Sequence, residues 1–193
     1  SDGYRTAADF KRILDYVDSK AYLQMDLTSY IVSQANPQPY TLRPHPAFSD
    51  ISDLSASARP VLVLFEDSSC TACDLLHDTL LAHTDVNELM KQLTVVRLDA
   101  SSEQSLITPE GVRSTPREWA RTLGLNARPG FVLFDDGKEQ LRIEGVLRHF
   151  HFATALRYGA ERQYDEFESY REFSRIYRQS LLDAGIDVDL GSQ

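Results

Sequence analysis

The sequence predicts an α/β protein: a mixed sheet with helices on both faces, an extra helical segment ahead of it and a long helical tail behind it. Three observations carry that prediction. Pro60-Val61-Leu62-Val63-Leu64-Phe65 is an unbroken apolar run with β-branched members, as expected of a strand buried on both faces. Thr94-Val95-Val96-Arg97-Leu98 is a second β-rich run, separated from the first by segments of helical periodicity. Phe131-Val132-Leu133-Phe134 and Gln140-Leu141-Arg142-Ile143-Glu144 flank Asp135-Asp136-Gly137-Lys138, and an Asp-Gly turn between two such runs makes a hairpin.

In chain order, Phe10 to Val32 carries Phe10, Ile13, Leu14, Val17, Tyr22, Leu23, Leu27 and Ile31 among polar residues, which predicts an amphipathic helix or helix pair. Ile13, Leu14 and Tyr22 are expected to be buried against the main domain. Four prolines between Asn36 and Pro46 forbid regular structure, so that stretch is a linker or an extended strap. Phe48 to Ala58, with Ile51 and Leu54 on one side, suggests one or two helical turns. A helix is expected over Thr71 to His83, and another over Asp85 to Leu93, capped by Thr84 or Asp85.

From Ala100 to Thr115 polar residues dominate around Thr108-Pro109-Glu110-Gly111, a turn signal within a long excursion or small hairpin. Thr115-Pro116-Arg117-Glu118 starts a helix, with Thr115 as cap and Glu118 as its reciprocal partner, and Gly124 stops it. Two further helical segments fill Phe150 to Leu182, and a short tail expected to be frayed begins at Gly185. The domain plan is therefore residues 1–35 as a helical segment, 36–47 as a proline-rich linker, and 48–193 as the main domain with its helical extension.

Composition narrows the partners. A net charge of −9 argues against nucleic acid and anionic membranes, which would repel the chain at long range. No stretch approaches the ~18 apolar residues of a membrane helix, and Ser1 onward lacks a signal-peptide pattern, so no membrane insertion is expected and the residues do not write the compartment. Both cysteines fall in one C-x-x-C, which leaves none for a separate structural disulfide.

Cys70-Thr71-Ala72-Cys73 opens the helical segment that follows the first strand, and Arg128-Pro129 immediately precedes the third. On these two motifs the chain, over roughly residues 48–190, resembles the thioredoxin fold family of thiol-disulfide oxidoreductases. Its long aromatic tail, with Phe152, Leu156, Tyr158 and Tyr164, is similar to that of the exported, SoxW-type members. The resemblance implies a redox-active disulfide Cys70–Cys73 with no other cofactor, a protein disulfide as substrate, an upstream thiol donor and an extracytoplasmic setting. Cys70 would attack, its thiolate favoured by a helix N-terminus, and Cys73 would resolve the mixed disulfide. Pro129 stands at the family's cis-proline, so Arg128 would pair its backbone with the substrate, and Thr71 and Ala72 would line the contact. The uncharged Thr71-Ala72 favours a reductase. A non-catalytic binding module, with the dithiol as a metal ligand, is the alternative.

Two residues depart from thioredoxins proper. Ser69 replaces the tryptophan before the first cysteine, and Leu64 replaces a buried aspartate. Glu66 and Asp67 are candidate substitutes for that acid, although the plainer expectation is that both are solvated at a loop edge. On a helical wheel Cys70, Cys73 and His77 share an arc of roughly 60°, away from a core stripe of Ala72, Leu75, Leu76 and Leu80, so a protonated His77 is a candidate to favour the thiolate, although the plainer expectation is a solvated surface residue. Two thiols and this imidazole lack a fourth ligand at metal-site spacing, and no metal is expected. His149 and His151 are read as ordinary surface or capping residues.

A shift of 142 positions aligns Gly3 with Gly145, Phe10 with Phe152, Leu14 with Leu156, Tyr16 with Tyr158 and Tyr22 with Tyr164. With a slip of two, Ser29-Tyr30 meets Ser169-Tyr170. Chance similarity of two aromatic helices, a duplicated tail, and the tail of a preceding unit all remain open.

Overall fold

The computed structural model describes residues 7–27, 30–31 and 39–186. The expectations for the tail past Ile186, for Val32 and for the start of the proline-rich stretch up to residue 38 lie outside the described residues. The chain divides into two compact units, residues 1–38 and 39–193.

In the first unit, helix α1 spans Ala7–Asp18. Lys20 then takes the left-handed conformation at φ 55°, and a 3-10 turn covers Ala21–Leu23. The helix expected from Phe10 onward is therefore broken at Lys20. Tyr16 gathers this bend, with its ring 6.3 Å from Tyr22 and 5.2 Å from Tyr30 and its hydroxyl donating to the carbonyl of Met25. Of the side chains expected to be buried, Leu14 and Tyr22 are 53% and 51% exposed and Ile13 is half-buried.

The second unit is built on strands β1 (Val61–Glu66), β2 (Thr94–Asp99), β5 (Gly130–Asp135) and β6 (Lys138–Glu144), ordered β2-β1-β5-β6. β1 runs parallel to β2 and antiparallel to β5, and β5 to β6 is the expected hairpin. Asp136 and Gly137, at φ 48° and 70°, supply the left-handed pair that such a two-residue turn requires. β3 (Leu106–Ile107) and β4 (Arg113–Ser114) form the small hairpin expected in the excursion.

Helices α2 (Cys73–Asp78), α3 (Thr84–Met90), α5 (His149–Ala160) and α6 (Tyr170–Asp183) belong to one side of the sheet. Their core includes Leu62, Leu64, Leu76, Val86, Phe131, Leu133, Phe152 and Leu156. Helix α4 (Pro116–Thr122) covers the other side, with Trp119 and Ala120 against Val61, Val63, Phe65 and Phe134. Period-2 alternation along β1 explains the split, since neighbouring side chains leave a strand on opposite faces. Thr115 Oγ1 caps α4 by accepting from the Glu118 N–H, as expected. The tail is fastened to the hairpin where Arg162 and the Tyr164 hydroxyl meet the Asp135 carboxylate.

Residues 48–58 are not helical. Their backbone groups turn to the sheet edge instead: Phe48 bridges Val95, the Ser49 N–H donates to the Val95 carbonyl, and Leu54 and Ser52 bond Ile107. An edge strand offers unpaired groups that a nearby segment satisfies more completely than one helical turn would. Ile51 and Leu54 accordingly part, the first exposed and the second buried.

Candidate active site

β1 ends in a tight turn in which the Asp67 carboxylate accepts from the Ser69 N–H and hydroxyl, and the Cys70 N–H donates to the Asp67 carbonyl. That turn delivers Cys70 to the mouth of α2. Cys70 and Cys73 are joined in a disulfide, their Cα atoms 5.5 Å apart. Cys70 keeps 4% of its surface exposed and Cys73 none, while Thr71 is exposed and Ala72 half-buried between them.

The helix differs from expectation. It begins at Cys73, with Ala72 as its cap, and stops after six residues where Thr79 bends into a separate 3-10 turn, Leu80–Ala82. Cys70 thus lies three residues ahead of the helix, not directly at its N-terminus as expected, and so short a helix supplies little dipole. The buried face is also turned from the expected stripe: Cys73, Leu76 and His77 are buried, and Leu75 is exposed.

His77 is therefore not a surface residue, nor is Glu66 solvated. Glu66 has no exposed surface, because strand parity directs it to the same side as Leu62 and Leu64, beneath α2. Its Oε1 lies 2.9 Å from His77 Nε2, and its Oε2 accepts from the Tyr40 hydroxyl at 3.2 Å. Tyr40 packs against both cysteines. Burial, with the neighbouring Glu66 charge, pushes its hydroxyl up to about 12. A buried carboxyl without partners would cost several kcal/mol, and here both oxygens are matched. Cys73 and His77, four residues apart, share the buried face of α2 over this pair.

Tyr40 arrives on the proline-rich stretch, which in its described part is a strap tied down along its length. The Tyr40 N–H donates to the Ser68 carbonyl, Arg43 pairs with Asp78 at 2.7 Å and Asp74 at 3.4 Å on α2, and Arg97 donates to the Arg43 carbonyl. Sequence reasoning did not single out Tyr40 or Arg43. The available signal was an aromatic and a cation among prolines that hold the chain extended.

Asp67 is only slightly exposed, and it too departs from the solvated expectation. Its Oδ2 accepts from Arg128 Nε at 2.8 Å. Burial opposes its ionisation, but the hydrogen bonds from Ser69 and Arg128 outweigh that and hold the carboxyl below the usual carboxylate range. The β1–β5 register pairs Phe65 with Gly130, and continuing it sets Pro129 across from Glu66 and Arg128 across from Asp67. The Arg128–Pro129 peptide bond is cis. Among the described residues, the backbone N–H and C=O of Arg128 make no hydrogen bond, whereas the Pro129 carbonyl accepts from Gly145. Two sequence motifs 58 positions apart are thus brought to one rim.

One further cluster forms around His149, which is partly exposed at the start of α5. Its Nε2 is 2.9 Å from Asp85 and its ring stacks on His83 at 4.0 Å, joining the starts of α3 and α5. Donor atoms of His83, Asp85 and His149 lie within 4.8 Å of one another, the one such group among the described residues.

A family model for a thioredoxin-like domain matches residues 47–160, more than half of the chain. The chain belongs to that thioredoxin-like family. A thioredoxin-fold protein from Helicobacter pylori is similar in fold, at 17% identity and a TM-score of 0.62 over 72% of this chain and 93% of that one. A thioredoxin from Thermus thermophilus matches at 25% identity and a TM-score of 0.41, covering 51% of this chain and 72% of that one. The periplasmic thioredoxin SoxS from Paracoccus pantotrophus matches at 18% identity and a TM-score of 0.38, covering 53% of this chain and 97% of that one. No curated protein matches the sequence. No helix among the described residues is long and apolar enough to cross a membrane.

Proposed function

We propose that this thioredoxin-like protein is a thiol-disulfide oxidoreductase that reduces disulfides in protein substrates. The observation that carries the reading is the Cys70–Cys73 disulfide at the end of the central strand, with Cys70 the more exposed of the two residues. In the reduced form the Cys70 thiolate attacks one sulfur of the substrate disulfide and expels the other as a thiolate. The Cys73 thiolate then attacks Cys70 Sγ, the mixed disulfide breaks, and the substrate leaves with two electrons and two protons as a dithiol. An upstream thiol donor returns the pair to its reduced state. The free backbone groups of Arg128 offer an extended substrate a short antiparallel pairing beside the sulfur, with Thr71 and Ala72 at the contact.

Cys73 must lose a proton before it can attack, and burial raises the pKa of a thiol. In this reading the Glu66–His77 pair beneath it receives that proton, with Tyr40 holding the acid in place, and takes over the part assigned in thioredoxins to the acid that Leu64 replaces. Asp67 orients Arg128. The uncharged Thr71-Ala72 and the short helix favour the reducing direction, since little holds the thiolate tightly. The proposed setting is an exported compartment, as for the SoxW-type proteins that the sequence resembles. Dithiothreitol-driven insulin reduction tests the reading: turnover is expected for the native chain and none for Cys70→Ser. Tight stoichiometric zinc on the reduced chain without turnover would overturn it in favour of a binding module.

A further inference from the structure

The first unit repeats the domain's own tail in detail. Shifted by 142 residues, α5 (His149–Ala160) falls on α1 (Ala7–Asp18), and the 3-10 turn Gln163–Asp165 falls on Ala21–Leu23. The left-handed residue between them is Arg162 at φ 50° in one and Lys20 at φ 55° in the other. Backbone bonds correspond as well: Lys20 to Val17 matches Arg162 to Gly159, and Met25 to Ala21 matches Phe167 to Gln163. Tyr158 meets Tyr164 and Tyr170 edge-on, and Tyr16 likewise contacts Tyr22 and Tyr30. An offset that reproduces helix ends and a left-handed break, with the Tyr30–Tyr170 arm of the aromatic bracket matched after a slip of two, is a repeat of one structural unit, not a shared amphipathic pattern.

The two copies differ in what covers them. Phe152 and Leu156 on α5 are each 2% exposed, with the Phe152 ring edge-on to Phe131 of the sheet. Their counterparts Phe10 and Leu14, with Val17, are all more than half exposed. Five of the six α5 positions that are buried are apolar or aromatic in the copy, as Phe10, Ile13, Leu14, Tyr16 and Val17, and the sixth, Thr154, is Arg12.

We propose that α1 (Ala7–Asp18) and the turn Ala21–Leu23 belong to the closing helical element of another thioredoxin-like unit, encoded ahead of Ser1 in the same polypeptide, and that Phe10, Ile13, Leu14 and Val17 dock on its sheet. The order follows from the second copy, in which the tail comes just after the last strand and Gly145, the counterpart of Gly3, makes that junction at φ 82°. The sheet of this chain, or of a second copy, does not fit. Its own α5 occupies the place, and a Cβ added at Gly159 would stand 2.7 Å from Leu133, where the copy carries Val17. The docking sheet must carry a residue smaller than leucine at that position and room for Ile13 where α5 has Ala155.

The test expresses the chain together with the residues that its reading frame encodes ahead of Ser1. Those residues are expected to end in a β-hairpin after a strand-helix-strand unit. Amide hydrogens of residues 7–18 are expected to exchange at least about tenfold more slowly in the extended polypeptide than in Ser1–Gln193. Phe10→Asp should abolish that protection and lower the melting of the preceding unit only, while Phe10→Leu should keep both. An upstream frame without such a unit, unchanged exchange, or a Ser1–Gln193 chain that dimerises through Phe10 would each overturn the proposal.

Discussion

Glu66 and Asp67 are neighbours in sequence and opposites in setting. Glu66 is fully buried and spends both carboxylate oxygens on His77 and Tyr40, whereas Asp67 sits at the rim, bonded to Ser69 and Arg128. One residue of strand parity separates an acid that serves the interior beneath Cys73 from one that serves the surface beside Cys70. The contrast teaches that position along a strand, more than residue type, decides which acid is buried and which stays at the rim.

The largest effect is expected from breaking the interior pair on one side. His77→Ala should cost about 3–5 kcal/mol, because it leaves the Glu66 carboxyl buried with one partner fewer, and thermal melting would register a drop of ~10 °C or more. The double change Glu66→Leu with His77→Leu removes both partners and should recover most of that stability without recovering turnover. Restored turnover would reduce the pair to a structural role. Next in size, Glu66→Gln keeps the shape and removes the base. Insulin reduction should slow roughly 10- to 100-fold, at the low end of what a positioned general base supplies, with an altered pH profile.

Tyr40→Phe is expected to be milder, about 1 kcal/mol, since His77 still holds the acid. It should also change alkaline behaviour. The Tyr40 hydroxyl is raised to about 12 in the folded chain from an ordinary value near 10, so its contribution to stability is whole below pH 10 and is lost as pH rises towards 12. Denaturant midpoints across pH 9 to 12 should therefore fall less steeply in the variant.

The rim acid should show the smallest effect and the opposite sign. Asp67 is held below its ordinary value, so its contribution is whole above about pH 4 and is lost as pH falls through its lower native value. Arg128→Ala should cost under ~1 kcal/mol at pH 7, and urea midpoints between pH 2 and 5 should show a shallower acid loss. A neutral-pH cost equal to that of His77→Ala would erase the contrast between the two acids.

Much of this was legible in the sequence. The apolar run before Cys70, the Asp-Gly turn and the Thr115-Pro116-Glu118 start are local signals, and the corresponding elements form where those signals stand. Residues 48–58 were not legible, because their backbone partners lie on β2 and near Ile107, far along the chain. His77 was placed on the wrong face because Leu75, which is exposed, was counted into the core stripe and Cys73, which is buried, was left out of it. Glu66 could have been found: counting by twos from Leu62 and Leu64 puts it on a buried face. Tyr40 and the His149–Asp85 pair, whose partners are 26 and 64 residues away, carry no local signal at all.

The most direct test of the account is to trap its intermediate. Reduced Cys73→Ser, mixed with a disulfide-bonded protein substrate and analysed by mass spectrometry after acid quenching, should accumulate a stable mixed disulfide on Cys70, and reduced Cys70→Ser should form none. An adduct on Cys73 in the Cys70→Ser chain, or no adduct in either variant, would contradict the assignment of Cys70 as the attacking sulfur and Cys73 as the resolving one.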